Sequence, residues 1–295
     1  MTVVLFTEPA STTWQTVPGA VRRYSRAVEF GTDERRRGRV IGLVPRRAEV
    51  RVSLAGAFEL STDGQSIDLA VPAQRVLAFL ALQDQAVDRG HVAGVLWRGS
   101  SPERAAGSLR SALWRIRRCG ESIVEITHRG LRLSPAVCVD VRETISWARR
   151  VGDASHPIED DDVRDAFDGG ELLSDWDDDW VVLEREWLRQ LRLHALEVLS
   201  QRLVSVGRCT EAIEVALAAL RDEPLRESAH RAVISVHLAE GNPSEALRQY
   251  RRYRELLRAE LGLEPSSLIK ELVGVLDHPA RRHLSELPDL GVGRA

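Results

Sequence analysis

Between Arg104 and Arg118 the chain sets five arginines among Gly107, Ser108 and Ser111, within the stretch SSPERAAGSLRSALWRIRR that runs from Ser100 to Arg118. A guanidinium forks onto the edge of guanine or onto phosphate oxygens, and small residues beside it let a backbone come close to whatever is gripped. The chemistry on offer is recognition of a nucleic acid rather than bond making. An isolated basic stretch of this kind also fits a solvated face with no ligand, so the surrounding chain has to decide.

That chain offers little to a reaction. Of its 41 basic residues only Lys270 is lysine, and it sits in IKEL without the glycines of a phosphate-binding loop. A G-x-S-x-G elbow and an H-E-x-x-H pair are both missing from the sequence. Cys119, Cys138 and Cys209 are far apart with no paired spacing, which speaks against a disulfide framework or a zinc site. His230 and His237 could share a helix face but lack a Cys or Glu at ligand spacing. The expectation is a protein that is not an enzyme and uses no metal or cofactor. MTVVLFTEPA makes a poor signal peptide and no run approaches a membrane span, so a cytoplasmic protein without a membrane partner is expected. The arginine bias, with abundant Ala, Val and Gly, reads as coding from a GC-rich genome.

Charge is unevenly spread. Residues 1–50 hold 9 basic and 5 acidic side chains, residues 51–150 hold 14 and 10, and residues 151–295 hold 18 and 29. A basic front and an acidic back steer any polyanion to the front.

The arginines need a helix to present them. Ser101 before Pro102 suits an N-cap, and Ser100 with Glu103 has capping-box spacing, so a helix starts here in either register. On a 3.6-residue wheel Ala105, Ala106, Leu109, Ala112, Leu113 and Ile116 share the packing face. Arg104, Gly107, Ser111, Trp114 and Arg118 fall opposite, flanked by Arg110, Arg115 and Arg117.

Upstream, VRVSLAG, AFEL and SIDLA read as an antiparallel meander with a hairpin turn at Thr62-Asp63-Gly64-Gln65. Pro72 opens a first helix to about Gln83, and Asp88 caps a short second one, HVAGVLW. After the basic helix, SIVEIT and LRLS flank a turn at His128-Arg129-Gly130 and form a two-stranded wing. Residues 1–48 show no period and carry Arg35-Arg36-Arg37; they read as a disordered arm, and the arginines as either phosphate contacts or a solvated tail.

Strands, three helices and a hairpin, with the basic helix just before the hairpin, make a winged helix. The residues PAQRVLAFLAL, LWRGSSP and A-x-x-L-x-x-x-L-x-R-I-R from Ala106 to Arg117 resemble the OmpR-type DNA-binding domain as used in the SARP family, the Streptomyces antibiotic regulatory proteins. Trp114 departs from the small or polar residue that the family leads one to expect. It could stack on a sugar or a thymine methyl, or pack beside the wing, and packing is the expectation.

Helices dominate after the wing. Val141–Val151 reads as a connecting helix, and Asp175 to Asp179 around Trp176 and Trp180 as an acid-rich helix start rather than a calcium loop. GRCTEAI at Gly207 and GNPSEAL at Gly241 recur at the tetratricopeptide period, where such a repeat turns from its first helix into its second. DDWVVLEREWLRQLRLHALEVLSQRL, EPLRESAHRAVISVHLAEGN and AEGNPSEALRQYRRYRELLRAELGLEPS resemble the bacterial transcriptional activator domain, which follows the winged helix in SARP regulators.

The expected fold is therefore mainly α with a small β portion: a winged-helix DNA-binding domain over 49–136, a tetratricopeptide-like domain over 137–278, an arm at 1–48 and a tail at 279–295. Expected base contacts are Arg104, Ser108, Arg110, Ser111, Arg115 and Arg118, with Arg117, Arg129 and Arg132 on the DNA backbone or in the wing. The family resemblance implies a homodimer on double-stranded DNA, contact with RNA polymerase and its sigma factor, and activation of secondary-metabolite genes. Larger family members append an ATPase module, which is not expected within this chain. The alternative function is a helical-repeat adaptor whose winged helix does not read DNA.

Overall fold

The computed structural model describes residues 49–119 and 123–274, so the arm at 1–48 and the tail at 279–295 lie outside it. The first strands are β1 (Val50–Ser53), β2 (Glu59–Thr62) and β3 (Gln65–Ser66). β2 pairs with β3 across Asp63 and Gly64, whose φ values of 48° and 77° give the twist-matched two-residue hairpin turn that Asp-Gly favours. β3 is shorter than SIDLA, because the chain leaves the ladder to bury Leu69 and enter α1 (Val71–Ala81).

In α2 (Arg89–Leu96) the Asp88 carboxylate accepts from the N–H groups of Gly90 and His91, at 2.8 and 3.1 Å. α3 (Pro102–Arg117) follows, capped by Ser101, and then the wing, β4 (Val124–Thr127) and β5 (Gly130–Leu133). Val87 bridges to Leu131 and makes a third rung beside the wing. At Gly130, with φ +132°, a Cβ would stand 2.0 Å from the Val87 carbonyl oxygen, so only glycine fits.

β6 (Val137–Val139) then returns to the first sheet and pairs with β1 in parallel, giving the order β3-β2-β1-β6. The sheet thus runs past residue 136, where the sequence suggested the first domain would end. The core below it joins Val52, Leu60, Leu77, Leu80, Leu109, Ile116 and Leu131.

The rest is helical: α4 (Asp140–Gly152), α5 (Asp160–Asp165), α6 (Asp179–Ser205), α7 (Cys209–Asp222), α8 (Glu227–Ala239), α9 (Pro243–Leu261) and α10 (Ser267–Gly274). The pairs α6/α7 and α8/α9 turn at Gly207 and Gly241, both left-handed with φ near +75° (78° and 73°). Ala212 and Ala246, one turn into the second helix of each pair, are fully buried and let the helices approach. The expected tetratricopeptide register is therefore the observed one.

Two polar anchors and an aromatic row join the two regions. The Asp140 carboxylate accepts from the backbone N–H groups of Leu54 and Ala55 at 2.9–3.0 Å, at the end of β1. Arg142 donates to the carbonyls of Leu80, Ala81 and Gln83, the open C-terminal end of α1. Phe58, Trp176, Trp180 and Phe79 make successive ring contacts at 6.2, 6.3 and 5.5 Å, the last two edge to face. The acid-interrupted tryptophans are thus the docking surface of α6 on the winged helix.

Candidate nucleic-acid interface

The two-faced character of α3 follows from its capping and its period. Ser101 settles the starting register: its Oγ accepts from the Arg104 N–H at 3.4 Å, with Pro102 in the first helical position. The residue's own backbone N–H, and after it the Ser101 hydroxyl, hold the Glu103 carboxyl below the usual carboxylate range. Inward, Ala105, Leu109, Ala112, Leu113 and Ile116 are buried, as the wheel required, and Ala106 is half-buried at the edge.

Outward, Arg104, Arg110, Arg115, Arg117 and Arg118 are all exposed, and among the described residues none lies within ion-pair reach of a carboxylate. Ser108 is half-buried, and Ser111 is exposed with its hydroxyl donating back to the Gly107 carbonyl at 3.1 Å. Ser111 therefore offers a ligand an acceptor rather than a donor. Gly107 has no side chain to hold a partner off, and the space where its Cβ would stand is open apart from the Arg110 guanidinium at 3.7 Å.

Trp114 corrects an expectation. It does not pack beside the wing: the residue is 58% exposed, and the Arg118 guanidinium lies over its ring, 4.9 Å from the ring centre. One residue beyond inward-facing Leu113, it is turned about 100° away from the core.

Arg129 stands exposed at the wing tip, where its N–H donates to Thr127 Oγ1 at 3.2 Å. Arg132 is exposed but engaged, with Glu125 across the hairpin at 2.6–2.8 Å. The sequence reasoning missed that partner, although facing positions on a two-residue hairpin could have shown it. Arg98, at the helix-turn-helix corner, pairs with Asp179 at 3.2 Å, and Arg75 with Asp178, so the start of α6 neutralises the arginines nearest to it.

Elsewhere a cavity of about 460 Å³ lies at the seam between the two regions, with Arg185, Arg189 and Arg192 in its lining. Each is already engaged by carbonyls or carboxylates, which leaves no free cationic site there. Among the described residues no group of three or more His, Cys, Asp or Glu gathers as a metal site would require, and no helix is long and apolar enough to cross a membrane.

A winged helix whose outer arginines have no carboxylate partner among the described residues is built onto paired helical repeats, an architecture similar to that of DNA-binding regulators. The comparisons narrow it. Residues 150–275 match the family model described as the bacterial transcriptional activator domain. The chain is similar to the regulatory protein AfsR of Streptomyces coelicolor A3(2), 28% identical over 236 residues that cover 76% of this chain and 24% of that protein. It is also similar to the regulatory protein AfsR of Streptomyces griseus, 24% identical over 78% of this chain and 25% of that protein. The chain thus spans about a quarter of the length of these curated relatives. Mycobacterium tuberculosis EmbR, solved in complex with a low-affinity phosphopeptide, shares the fold with a TM-score of 0.65 at 21% identity, over 79% of this chain and 66% of that one. These matches support the resemblance to SARP-type regulators without extending past residues 150–275 for the activator domain itself.

Proposed function

We propose that this chain is a sequence-specific DNA-binding transcriptional activator that docks α3 in the major groove. The observation that carries the reading is the row of five arginines on and at the end of α3, without a carboxylate partner among the described residues, on a helix whose other face is locked into the core. Arg104, Ser108, Arg110, Ser111, Arg115 and Arg118 supply the base contacts, while Arg117 and Arg129 hold phosphate. Arg132 reaches phosphate only by giving up Glu125. The family resemblance supports the remainder: a homodimer on DNA, contact of the repeat region with RNA polymerase and its sigma factor, and control of secondary-metabolite genes.

The test is binding of the purified chain to the intergenic DNA beside its own gene, against a scrambled fragment, at several salt concentrations. A preference for the native fragment that persists as salt rises is expected from base readout. Weak binding, equal on both fragments and lost with salt, would support the adaptor instead.

A further inference from the structure

The outward face of α3 carries one residue that a purely polar reader does not need. Trp114 is the most exposed of the described tryptophans, yet it lies among arginines, one turn after Arg110 and one turn before Arg118. Indole exposed to water is unfavourable, and nothing in the fold of the described chain uses this ring as a packing surface. What does use it is Arg118, whose guanidinium is stacked over one ring face at 4.9 Å. That contact holds a planar, rotatable fork in place before any ligand arrives.

Gly107 and Ser111 precede Trp114 on the same face by seven and three residues, about 10 and 4.5 Å along the axis. Where they lie, the helix backbone can come close to a groove floor. Trp114 then reaches farther than its neighbours and meets base edges with an apolar surface. In the major groove the apolar feature at base level is the 5-methyl group of thymine, while the adjacent forked acceptor pair belongs to guanine.

We infer that Trp114 is a specificity-determining residue that reads a thymine methyl and positions Arg118 for the neighbouring base. This rests on the DNA-reading function proposed above. The experiment selects duplexes from a random-sequence pool with the full chain. It then measures binding of wild type, W114A, R118A and the double variant to the selected duplex, with each thymine replaced in turn by deoxyuridine. One replacement is expected to weaken wild type about fourfold, the effect of one buried methyl, and to leave W114A unchanged. W114A and R118A are expected to be non-additive, because the first removes the support of the second. W114A should melt as wild type does, since the ring is exposed.

Wild-type binding indifferent to every replacement, or W114A still discriminating thymine from uracil, would overturn the inference while leaving the DNA-reading function standing. Loss of affinity in W114A that is equal on every duplex would also overturn it, by making Trp114 a backbone contact. A pool in which wild type enriches no sequence would overturn the function itself.

Discussion

Arginine does opposite work on α3 and at the helix joints of the repeat region. In the repeat region, Arg150 is held by Asp162 and Asp165, Arg208 by Asp160 and Glu211, Arg226 by Glu197, and Arg202 by three backbone carbonyls. These side chains close loops and tie helices together. On α3 the same residue type stands without a carboxylate within reach among the described residues. Total charge therefore says less than where the counter-charges lie: these arginines of the repeat region meet carboxylates or carbonyls, whereas among the described residues those of α3 meet no carboxylate. The free face is the one available to a polyanion.

The sharpest way to break this comparison is to test whether the free face is anchored as described. Leu113→Asp puts a carboxylate into the inward face of α3 and is expected to cost about 3–5 kcal/mol, enough to unfold the winged helix. Unaltered cooperative melting would mean that the helix is rotated. Arg226→Ala strips the partner from Glu197, which is buried, and should lower stability by about 3 kcal/mol in denaturant titrations while leaving DNA affinity per folded molecule unchanged. Arg104→Ala and Arg118→Ala should do the reverse, losing about 1–3 kcal/mol of DNA affinity with melting unchanged. A stability loss in either would erase the contrast between the two regions.

The smallest effect sharpens the repeat side. His230 is buried, its Nε2 bonded to the Pro224 carbonyl and its Nδ1 to the Gln249 amide, and burial holds its pKa below the ordinary value of about 6.5. Below that value the unfolded chain takes up the proton before the folded one, so stability is complete above about pH 6.5 and falls as the pH drops. Denaturation followed from pH 7.5 to 5 should show a loss of stability that His230→Gln reduces; an equal slope in both proteins would exclude His230 as its source.

Signals confined to a few neighbouring residues could be read from the sequence. Ser101-Pro102, Asp63-Gly64, Asp88 and the glycines at 207 and 241 each fix their own turn or cap, and the helical period alone separated the two faces of α3. What could not be read depends on residues far apart in the chain. The parallel pairing of β6 with β1, the closeness of Gly130 to Val87, and the Asp140 and Arg142 anchors exist only once the chain has returned on itself. Trp114 failed for another reason: a large apolar side chain is usually evidence of a core, and here it belongs to the surface.

Asp140 and Arg142 lie two residues apart at the start of α4, one fastened to the sheet and the other to the end of α1. The first turn of α4 is therefore welded to the module that carries α3, with no slack peptide between them. A force applied to the start of α4 is passed to the module that carries α3 rather than absorbed by a tether.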